Sequence, residues 1–241
     1  MIKLLINGIN GKMGQEVLKS SEKAGDFEIV GKVDKNIKDI KETPDVIIDF
    51  STPEGTMEIL EYATFNKVPI VIATTGFNKD NIDYIEKCSN TIPVFKSSNM
   101  SYEVNVLCDI VKLLAQKLEY CDIEIVETHH NQKKDSPSGT ALMLANSINS
   151  VFEDELEYVY DRHTIKTARS NKEIGIHSIR GGTETGKHTI LFMSENETLE
   201  ITHSTSSRSV FANGALKAAR FIVNQKNGLY DMSDLIKWKS F

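Results

Sequence analysis

The sequence predicts an α/β protein that uses two sheet architectures in succession, and three observations support this fold class. In residues 1–100, short β-branched runs alternate with helical stretches, which is typical of βαβ units and a parallel sheet. A helix with a continuous apolar stripe follows at 102–118. Beyond it, several runs alternate charged and apolar residues, as strands with one buried face do.

The first part of the chain contains the predicted βαβ units. Strands are expected at 2–6, 27–33, 46–50, 69–73 and 93–96. One helix is expected over 12–23, ended by Gly25, and another begins near Pro53, because proline suits a first helical turn. A further helix is expected at 81–88.

The second part predicts an antiparallel or mixed sheet. Its strands are expected at 122–128, 174–180, 188–193 and 198–203. The charged segment 152–172 is expected to hold a strand and a mobile loop. A helix at 210–223 is expected to return to the first domain.

Composition and charge favour a small-molecule partner. The 241 residues are 40% hydrophobic and 26% charged, as in a globular protein, and a net charge of -6 gives no basic field for nucleic acid. No apolar run approaches the roughly 18 residues of a membrane span, and the first residues predict a strand rather than a signal peptide. Cys88, Cys108 and Cys121 lack a CxxC spacing, which favours reduced thiols in a cytoplasmic protein.

A glycine-rich turn follows the first predicted strand and precedes a helix. In such a turn, glycines let backbone amides approach a pyrophosphate, and the helix N-terminus favours the anion. The spacing differs from the usual GxGxxG, but the strand-turn-helix context predicts a Rossmann-like dinucleotide site. The predicted contacts are Gly8, Asn10, Gly11, Lys12, Met13 and Gly14.

The residues at the end of the second strand bear on the choice of cofactor. Asp34 can accept hydrogen bonds from the adenosine ribose, which favours NAD. Lys35 can instead hold the 2′-phosphate of NADP, so both NADH and NADPH remain open. A solvated Asp–Lys pair on an ordinary glycine turn is the alternative.

Two further loops lie at the carboxyl ends of predicted strands, where a cofactor is expected. They contain Phe50 and Ser51, and the run from Ala73 through Thr74 and Thr75 to Gly76. Small hydroxyl residues and glycine allow close approach to a ribose or nicotinamide. Plain strand-to-helix caps are the competing interpretation.

The densest cluster of reactive side chains lies at 127–141. His129 and His130 follow a strand directly, so their side chains should point to opposite faces. Histidine can deliver a proton near neutral pH, and Lys133 offers a compact positive charge for a carboxylate.

A predicted helix start completes this cluster. Ser138, Gly139 and Thr140 precede the helical run 141–148 and would present amides and hydroxyls at a positive helix end, as a carboxylate cradle. The alternative interpretation is an ordinary capped helix that follows a polar surface loop and has no role in binding. No metal site is predicted, because adjacent histidines lack a matching carboxylate or cysteine pattern.

Taken together, the motifs resemble those of the 4-hydroxy-tetrahydrodipicolinate reductase (dihydrodipicolinate reductase) family over nearly the whole chain. The matching stretches are Gly8-x-x-Gly11-x-Met13-Gly14, Asp49-Phe50-Ser51-x-Pro53, Thr74-Thr75-Gly76, Glu127-x-His129-His130-x-x-Lys133-x-Asp135-x-Pro137-Ser138-Gly139-Thr140-Ala141, Arg180-Gly181-Gly182 and Ser206-Ser207-Arg208-x-x-Phe211-Ala212-x-Gly214-Ala215. The chain departs from the family at Ala73, Met100 and Glu184.

The resemblance implies an NAD(P)H-dependent reductase of lysine and diaminopimelate biosynthesis that acts on a small dicarboxylate. It implies a dinucleotide-binding domain of residues 1–100 and 209–241, and a substrate-binding domain of residues 101–208 whose sheet assembles a homotetramer. Ser98, Asn99, Met100 and Arg208 are then expected at the cofactor.

By the same resemblance, His129 is the first choice as proton donor, with Lys133 as the alternative or assisting cation, and His130, Lys133 and Ser138 to Thr140 bind carboxylates. Another two-domain dehydrogenase is disfavoured, because it should lack the paired histidines and the cradle. A non-catalytic nucleotide sensor would bind NAD(P)H without turning over a substrate.

Overall fold

A computed structural model describes residues 1–34, 40 and 42–238 of the chain. It contains two compact units. The first consists of Met1–Tyr102 together with the chain from Arg208 onwards, and the second consists of Glu103–Ser207. Lys35, predicted at the cofactor, lies outside the described residues.

The elements of the described residues follow one another in this order: β1 (Ile2–Asn7), α1 (Lys12–Ala24), β2 (Phe27–Val33), β3 (Val46–Asp49), α2 (Pro53–Asn66), β4 (Ile70–Ile72), α3 (Lys79–Ser89), β5 (Pro93–Lys96), α4 (Tyr102–Lys117), β6 (Asp122–His129), α5 (Gly139–Asn149), a 3-10 turn (Ser150–Phe152), β7 (Glu157–Val159), β8 (Glu173–Arg180), β9 (Gly186–Met193), β10 (Thr198–Thr205), α6 (Ser209–Ile222), β11 (Gly228–Tyr230) and α7 (Met232–Lys237).

The first unit is built on a six-stranded parallel sheet with the order β11-β5-β4-β3-β1-β2. Its central strands β3 and β4 are buried throughout, as expected of a parallel sheet covered on both faces. Alternate residues supply two separate cores: Leu4 and Ile6 pack in one, and Leu5 packs in the other. The predicted parallel α/β architecture is confirmed.

Local sequence signals set the ends of the helices in this unit. Gly25 ends α1 in the left-handed conformation with φ 76°, which glycine adopts without strain. Pro53 is the first residue of α2, and the side chain of Thr52 caps that helix by accepting from the amide of Gly55. These positions leave the loops between strand ends and helix starts at the carboxyl edge of the sheet.

Helix α6 belongs to the first unit and packs in the same core as α1. Gly214 of α6 allows a close approach to the backbone of Met100, because a side chain at Gly214 would overlap the carbonyl oxygen of Met100. The loop that contains Ser98, Asn99 and Met100 is therefore held against α6.

The second unit contains a five-stranded mixed sheet with the order β10-β9-β6-β8-β7. Strand β6 runs parallel to β8 and antiparallel to β9, so of the two predicted alternatives the mixed sheet is present. Helices α4 and α5 pack on one face through Val111, Leu144 and Ile148 against Ile125 and Ile190. The inward face of β6 therefore carries apolar residues up to Ile125, and polar residues follow them.

The short elements β11 and α7 were not predicted. Strand β11 has three residues, too few to show an alternating pattern. Within the segment 152–172, β7 is the predicted strand, and Arg169 attaches the remainder to β6 and β8 by contacts to Asp122, Glu124 and the carbonyl of Glu173. Among the described residues, no helix is long and apolar enough to cross a membrane.

Candidate active site

The glycine turn after β1 forms the first polar site. Gly8 has φ 82°, and a side chain there would overlap the carbonyl of Phe50. Gly14 is equally restricted, because its side chain would overlap the carbonyl of Gly8. Gly11 caps α1 without a side-chain hydrogen bond, and the first turn of α1 has no acidic residue. The N-terminus of α1 is thus suited to the pyrophosphate of a dinucleotide.

A cavity of about 480 Å³ lies beside this turn. Gly8, Gly11, Phe50 and Ser51 line it together with Asp34, so the structure brings these predicted cofactor residues to one place. Glu54 and Glu58 also line the cavity and were not predicted. Asn10 and Lys12 are exposed at the turn, and Met13 packs against the core.

Asp49, the last residue of β3, connects the neighbouring strand ends through hydrogen bonds to its carboxylate. Its buried carboxylate accepts from Asn7 Nδ2 at 2.8 Å, Ser51 Oγ at 2.5 Å, Thr56 Oγ1 at 2.6 Å and Thr74 Oγ1 at 2.9 Å. Burial raises the pKa of Asp49, and no cation is among these four donors. The hydroxyls of Ser51 and Thr74 are therefore both engaged with this carboxylate.

The remaining predicted cofactor residues lie on three loops. Thr75 and Gly76 are exposed after β4, and the amide of Ala73 donates to the carbonyl of Asp49 at 2.9 Å. Asn99 accepts from the amide of Ser101 at 2.9 Å, next to the exposed Ser98 and the buried Met100. Arg208 is exposed at the start of α6.

The second polar site lies at the end of β6, and Glu127 is its centre. This carboxylate is 0% exposed and accepts five hydrogen bonds. The donors are Arg180 Nη1 at 2.8 Å, Arg180 Nη2 at 2.7 Å, Ser178 Oγ at 2.7 Å, the Ser138 amide at 3.1 Å and His129 Nδ1 at 2.6 Å. Burial by itself raises the pKa of Glu127, but the hydrogen bonds from Arg180, Ser178 and His129 outweigh it and lower the pKa to about 2.

His129 lies next to Glu127 on the inward face of β6. Its ring is 8% exposed and meets the ring of His188 edge to face, with centroids 5.2 Å apart. Its Nε2 atom approaches Gly186, where an added methyl group would lie 3.1 Å away. Strand β6 ends at His129, and His130 is half-buried in the following loop, where its Nδ1 accepts from the amide of Gln132 at 3.2 Å.

His188 connects the histidine pair to the predicted cradle. It is 4% exposed, and its Nε2 lies 2.8 Å from Ser138 Oγ. Burial, with the neighbouring His129, lowers the pKa of His188 to about 4, so this imidazole is neutral at pH 7.

Ser138 is the N-cap of α5, which begins at Gly139, two residues before the predicted helical run 141–148. Its hydroxyl oxygen accepts from the amide of Ala141 at 3.1 Å, and its own amide donates to Glu127. Ser138 is buried, whereas Gly139 is exposed and Thr140 is half-buried. Since α5 has no acidic residue in its first turn, Gly139 and Thr140 present a positive helix end that suits a carboxylate.

Lys133 lies in the loop between β6 and α5. Its Nζ donates to both carboxylate oxygens of Asp135, at 2.9 and 2.8 Å, and this contact lowers the pKa of Asp135. Arg180 Nη2 donates to the carbonyl of Asp135 at 2.8 Å. The second site therefore offers an imidazole, an ammonium group and a helix N-terminus, which suits proton transfer to a bound anion.

Four residues of this site were not predicted as functional: Glu127, Ser178, Arg180 and His188. Glu127 and Arg180 belong to the motifs that carry the family resemblance, and that membership could have indicated a role in the site. Ser178 and His188 carry no local signal, because only the pairing of β6 with β8 and β9 places them opposite Glu127. Among the described residues, no group of three or more His, Cys, Asp or Glu side chains is arranged for a metal.

Comparison with known protein families gives two adjoining matches. The family model "Dihydrodipicolinate reductase, N-terminus" matches residues 2–100, and "Dihydrodipicolinate reductase, C-terminus" matches residues 103–236.

Similar proteins carry a consistent name. A 4-hydroxy-tetrahydrodipicolinate reductase of Caldanaerobacter subterraneus subsp. tengcongensis is 49% identical over 248 residues, covering 98% of this chain and 99% of the relative. The protein of that name from Clostridium tetani is 42% identical over 249 residues, covering 98% and 97%. Among solved structures, a dipicolinate-bound dihydrodipicolinate reductase from Paenisporosarcina sp. TG-14 superimposes with a TM-score of 0.79 at 26% identity, covering 96% of this chain and 97% of that chain.

The buried neutral His188 predicts a loss of stability in mild acid. Its folded pKa of about 4 lies below the ordinary value of 6.5, so the unfolded chain binds more protons between these limits. The stabilisation is complete above pH 6.5 and is lost as the pH falls towards about 4, by on the order of 3 kcal/mol. Urea denaturation across this range should show a flatter pH dependence in His188→Gln than in the wild type.

The exposed His163 provides the control for this prediction. His163→Gln should follow the wild-type curve. Parallel curves for His188→Gln and the wild type would show that His188 is not the group responsible.

Proposed function

This chain belongs to the dihydrodipicolinate reductase family, and on that premise we propose how its residues carry out the reaction. The reaction is the NAD(P)H-dependent reduction of 4-hydroxy-tetrahydrodipicolinate to tetrahydrodipicolinate, in lysine and diaminopimelate biosynthesis. The observation that carries the proposal is the buried Glu127–His129 pair beside the N-terminus of α5.

His129 is the proton donor in this proposal. The 4-hydroxyl group of the substrate first leaves as water, which gives a conjugated ring. NADH or NADPH, when bound, would supply a hydride with its two electrons to one end of this conjugated system. The electron pair that this leaves at the other end takes the proton from the imidazolium of His129, which becomes neutral and is reprotonated from water. Lys133 supplies positive charge and is the assisting proton source.

The carboxylates of the substrate meet a cationic and helical cradle. We assign them to His130, Lys133, Ser138, Gly139 and Thr140. Lys133 has to exchange the carboxylate of Asp135 for that of the substrate, which is feasible because the Asp135 side chain is 62% exposed. The dipicolinate in the Paenisporosarcina enzyme is itself a dicarboxylate, which supports a substrate of this class.

The dinucleotide belongs to the domain of residues 1–100 and 209–241 in this proposal, and residues 101–208 bind the substrate and form the tetramer. The glycine turn and its cavity support the first assignment, and the Glu127 cluster supports the second. The cofactor contacts are Gly8, Asn10, Gly11, Lys12, Met13, Gly14, Asp34, Lys35, Phe50, Ser51, Ala73, Thr74, Thr75, Gly76, Ser98, Asn99, Met100 and Arg208.

A homotetramer in the cytoplasm completes the proposal. The outward face of the second unit's sheet carries Ile179 and Met193, which are 51% and 39% exposed, and a partner subunit would cover them. Cys88, Cys108 and Cys121 are free thiols, as a reducing compartment favours.

His129→Ala should lower kcat by roughly 10²–10⁴-fold, because the variant loses its general acid, while NADH binding is retained. Lys133→Ala should act mainly on KM, since it removes a charge that binds the substrate. Both are measured from the loss of NADH absorbance with freshly generated substrate, with His163→Ala as the control. Wild-type kcat in His129→Ala, or a lost kcat with unchanged KM in Lys133→Ala, would move the donor role to Lys133.

Both NADH and NADPH should support turnover. Asp34→Asn should raise kcat/KM for NADPH relative to NADH, because the carboxylate that repels a 2′-phosphate and binds ribose hydroxyls is removed. The same absorbance assay with each cofactor measures the ratio. An unchanged ratio would place Asp34 away from the ribose, and binding without any turnover would favour the nucleotide-sensor alternative.

The native mass in sedimentation equilibrium should be four times that of the 27.0 kDa chain. Ile179→Lys should reduce this mass, because a charge would then face the partner subunit. Phe65→Lys is the matched control, since Phe65 is 87% exposed on α2 of the other unit. A monomeric wild type, or an unchanged mass in Ile179→Lys, would contradict the proposed assembly face.

A further inference from the structure

Glu127 has no exposed surface through which it could meet a substrate. Its two oxygens accept five hydrogen bonds from Arg180, Ser178, Ser138 and His129. A buried carboxylate with this many partners acts on the reaction only through the groups that it holds.

The contact to His129 determines where that imidazole carries its hydrogen. An ionised carboxylate can only accept, so His129 Nδ1, 2.6 Å from Oε2, must be the donor. The neutral ring is therefore the Nδ1–H tautomer. The proton that His129 exchanges resides on Nε2, on the opposite side of the ring.

The surroundings of Nε2 agree with this orientation. Gly186 lies beside Nε2, and the absence of a side chain there keeps the space next to the atom open. His188 supports the ring from its edge at a centroid distance of 5.2 Å. The ring cannot turn without breaking the contact to Glu127.

The other oxygen of Glu127, Oε1, also holds the N-terminus of α5, where the substrate carboxylate is proposed to bind. Oε1 accepts from the amide of Ser138, the residue that caps α5. Arg180, held by both oxygens, also donates to the carbonyl of Asp135, whose carboxylate binds Lys133. One carboxylate thus links the imidazole, the helix N-terminus and the lysine loop.

We propose that Glu127 is a positioning residue that fixes the Nδ1–H tautomer and the ring orientation of His129, so that Nε2 faces the substrate, and holds the start of α5 at a set distance from it. This inference rests on the proposed function, which makes His129 the proton donor. Arg180 is the counter-ion that keeps the buried carboxylate ionised.

Glu127→Gln tests the inference, because one carboxylate oxygen becomes an NH2 group. This group can only donate, so it cannot accept the hydrogen bonds that the oxygen accepted. On the Oε1 side it would face Ser138, Ser178 and Arg180, whereas on the Oε2 side it would face only Arg180 and His129. The amide should therefore donate to His129 Nδ1 and reverse the tautomer. We expect kcat to fall by about 10²-fold or more, with NADH affinity unchanged.

The tautomer is read directly from the 15N chemical shifts of the imidazole in histidine-labelled protein, with His129→Asn used to assign the signal. The wild type should show Nδ1–H, and Glu127→Gln should show Nε2–H. Unchanged shifts would overturn the inference, whether or not kcat falls, because a fall in kcat without a change of tautomer would reflect a structural effect of the substitution.

If Glu127→Gln does not fold, Glu127→Asp is the second variant. It keeps the charge but withdraws the carboxylate oxygens by one methylene, and it should show a mixed tautomer and a smaller loss of kcat. Wild-type shifts and kcat in Glu127→Asp would overturn the inference.

Glu124 offers a matched control on the same strand. It also accepts from a histidine and an arginine, His177 Nε2 at 2.7 Å and Arg169 Nε at 3.1 Å, but on the opposite face of β6. Glu124→Gln should leave the His129 signals unchanged, and a change there would overturn the inference by showing that the shifts report general disturbance of the sheet.

Failure of the proposed function would look different. If His129→Ala kept wild-type turnover, the donor assignment would fail, yet the tautomer of His129 in the resting enzyme would still test Glu127. If His129→Ala lost turnover while Glu127→Gln kept both kcat and tautomer, only the positioning role would fail.

Discussion

A carboxylate removed from water must have its charge balanced by nearby groups, and Glu127 shows how far one such group can organise a site. Its five donors come from β6, from β8 and from the start of α5. Burial alone would favour the protonated form of Glu127, but the bidentate hydrogen bonds from Arg180 favour the anion. Because the anion persists, the hydrogen-bonding roles of His129 and Ser138 are fixed, and the loop that carries Lys133 is anchored through Arg180.

The first unit contains a second buried carboxylate, Asp49, whose pKa is shifted in the opposite direction. Among the described residues, the side-chain donors to Asp49 are neutral groups of Asn7, Ser51, Thr56 and Thr74, and burial raises the pKa of Asp49. Without a cation, its role is to join the ends of β1, β3 and the loop after β4, where a dinucleotide is expected. The contrast follows from the donors, because Glu127 accepts from the cation Arg180, whereas Asp49 accepts from neutral hydroxyl and amide groups.

Much of the fold was predictable, because strand alternation, glycine and proline positions and helix caps depend on neighbours in sequence. The predicted run 27–33 has the same bounds as β2, Pro53 begins α2, and Ser138 caps α5. The short β11 was not predictable, since three residues carry no usable period and pairing with β5 supplies its stability. Among the residues of the candidate site, His129 and Ser138 lie in one closely spaced motif of the sequence, whereas Ser178 and His188 carry no local signal.

The sequence by itself determined the family, the nature of the reaction and the two local motifs, since each depends on residues close together in the chain. Only the tertiary structure decided which groups from distant parts of the chain contact the residues of these motifs. Ser178 and Arg180 reach Glu127 from β8, and His188 reaches Ser138 from β9, because β6 pairs with β8 in parallel and with β9 antiparallel in one register. A shift of one residue in that pairing would turn these side chains to the other face of the sheet, which is why no local pattern could reveal them.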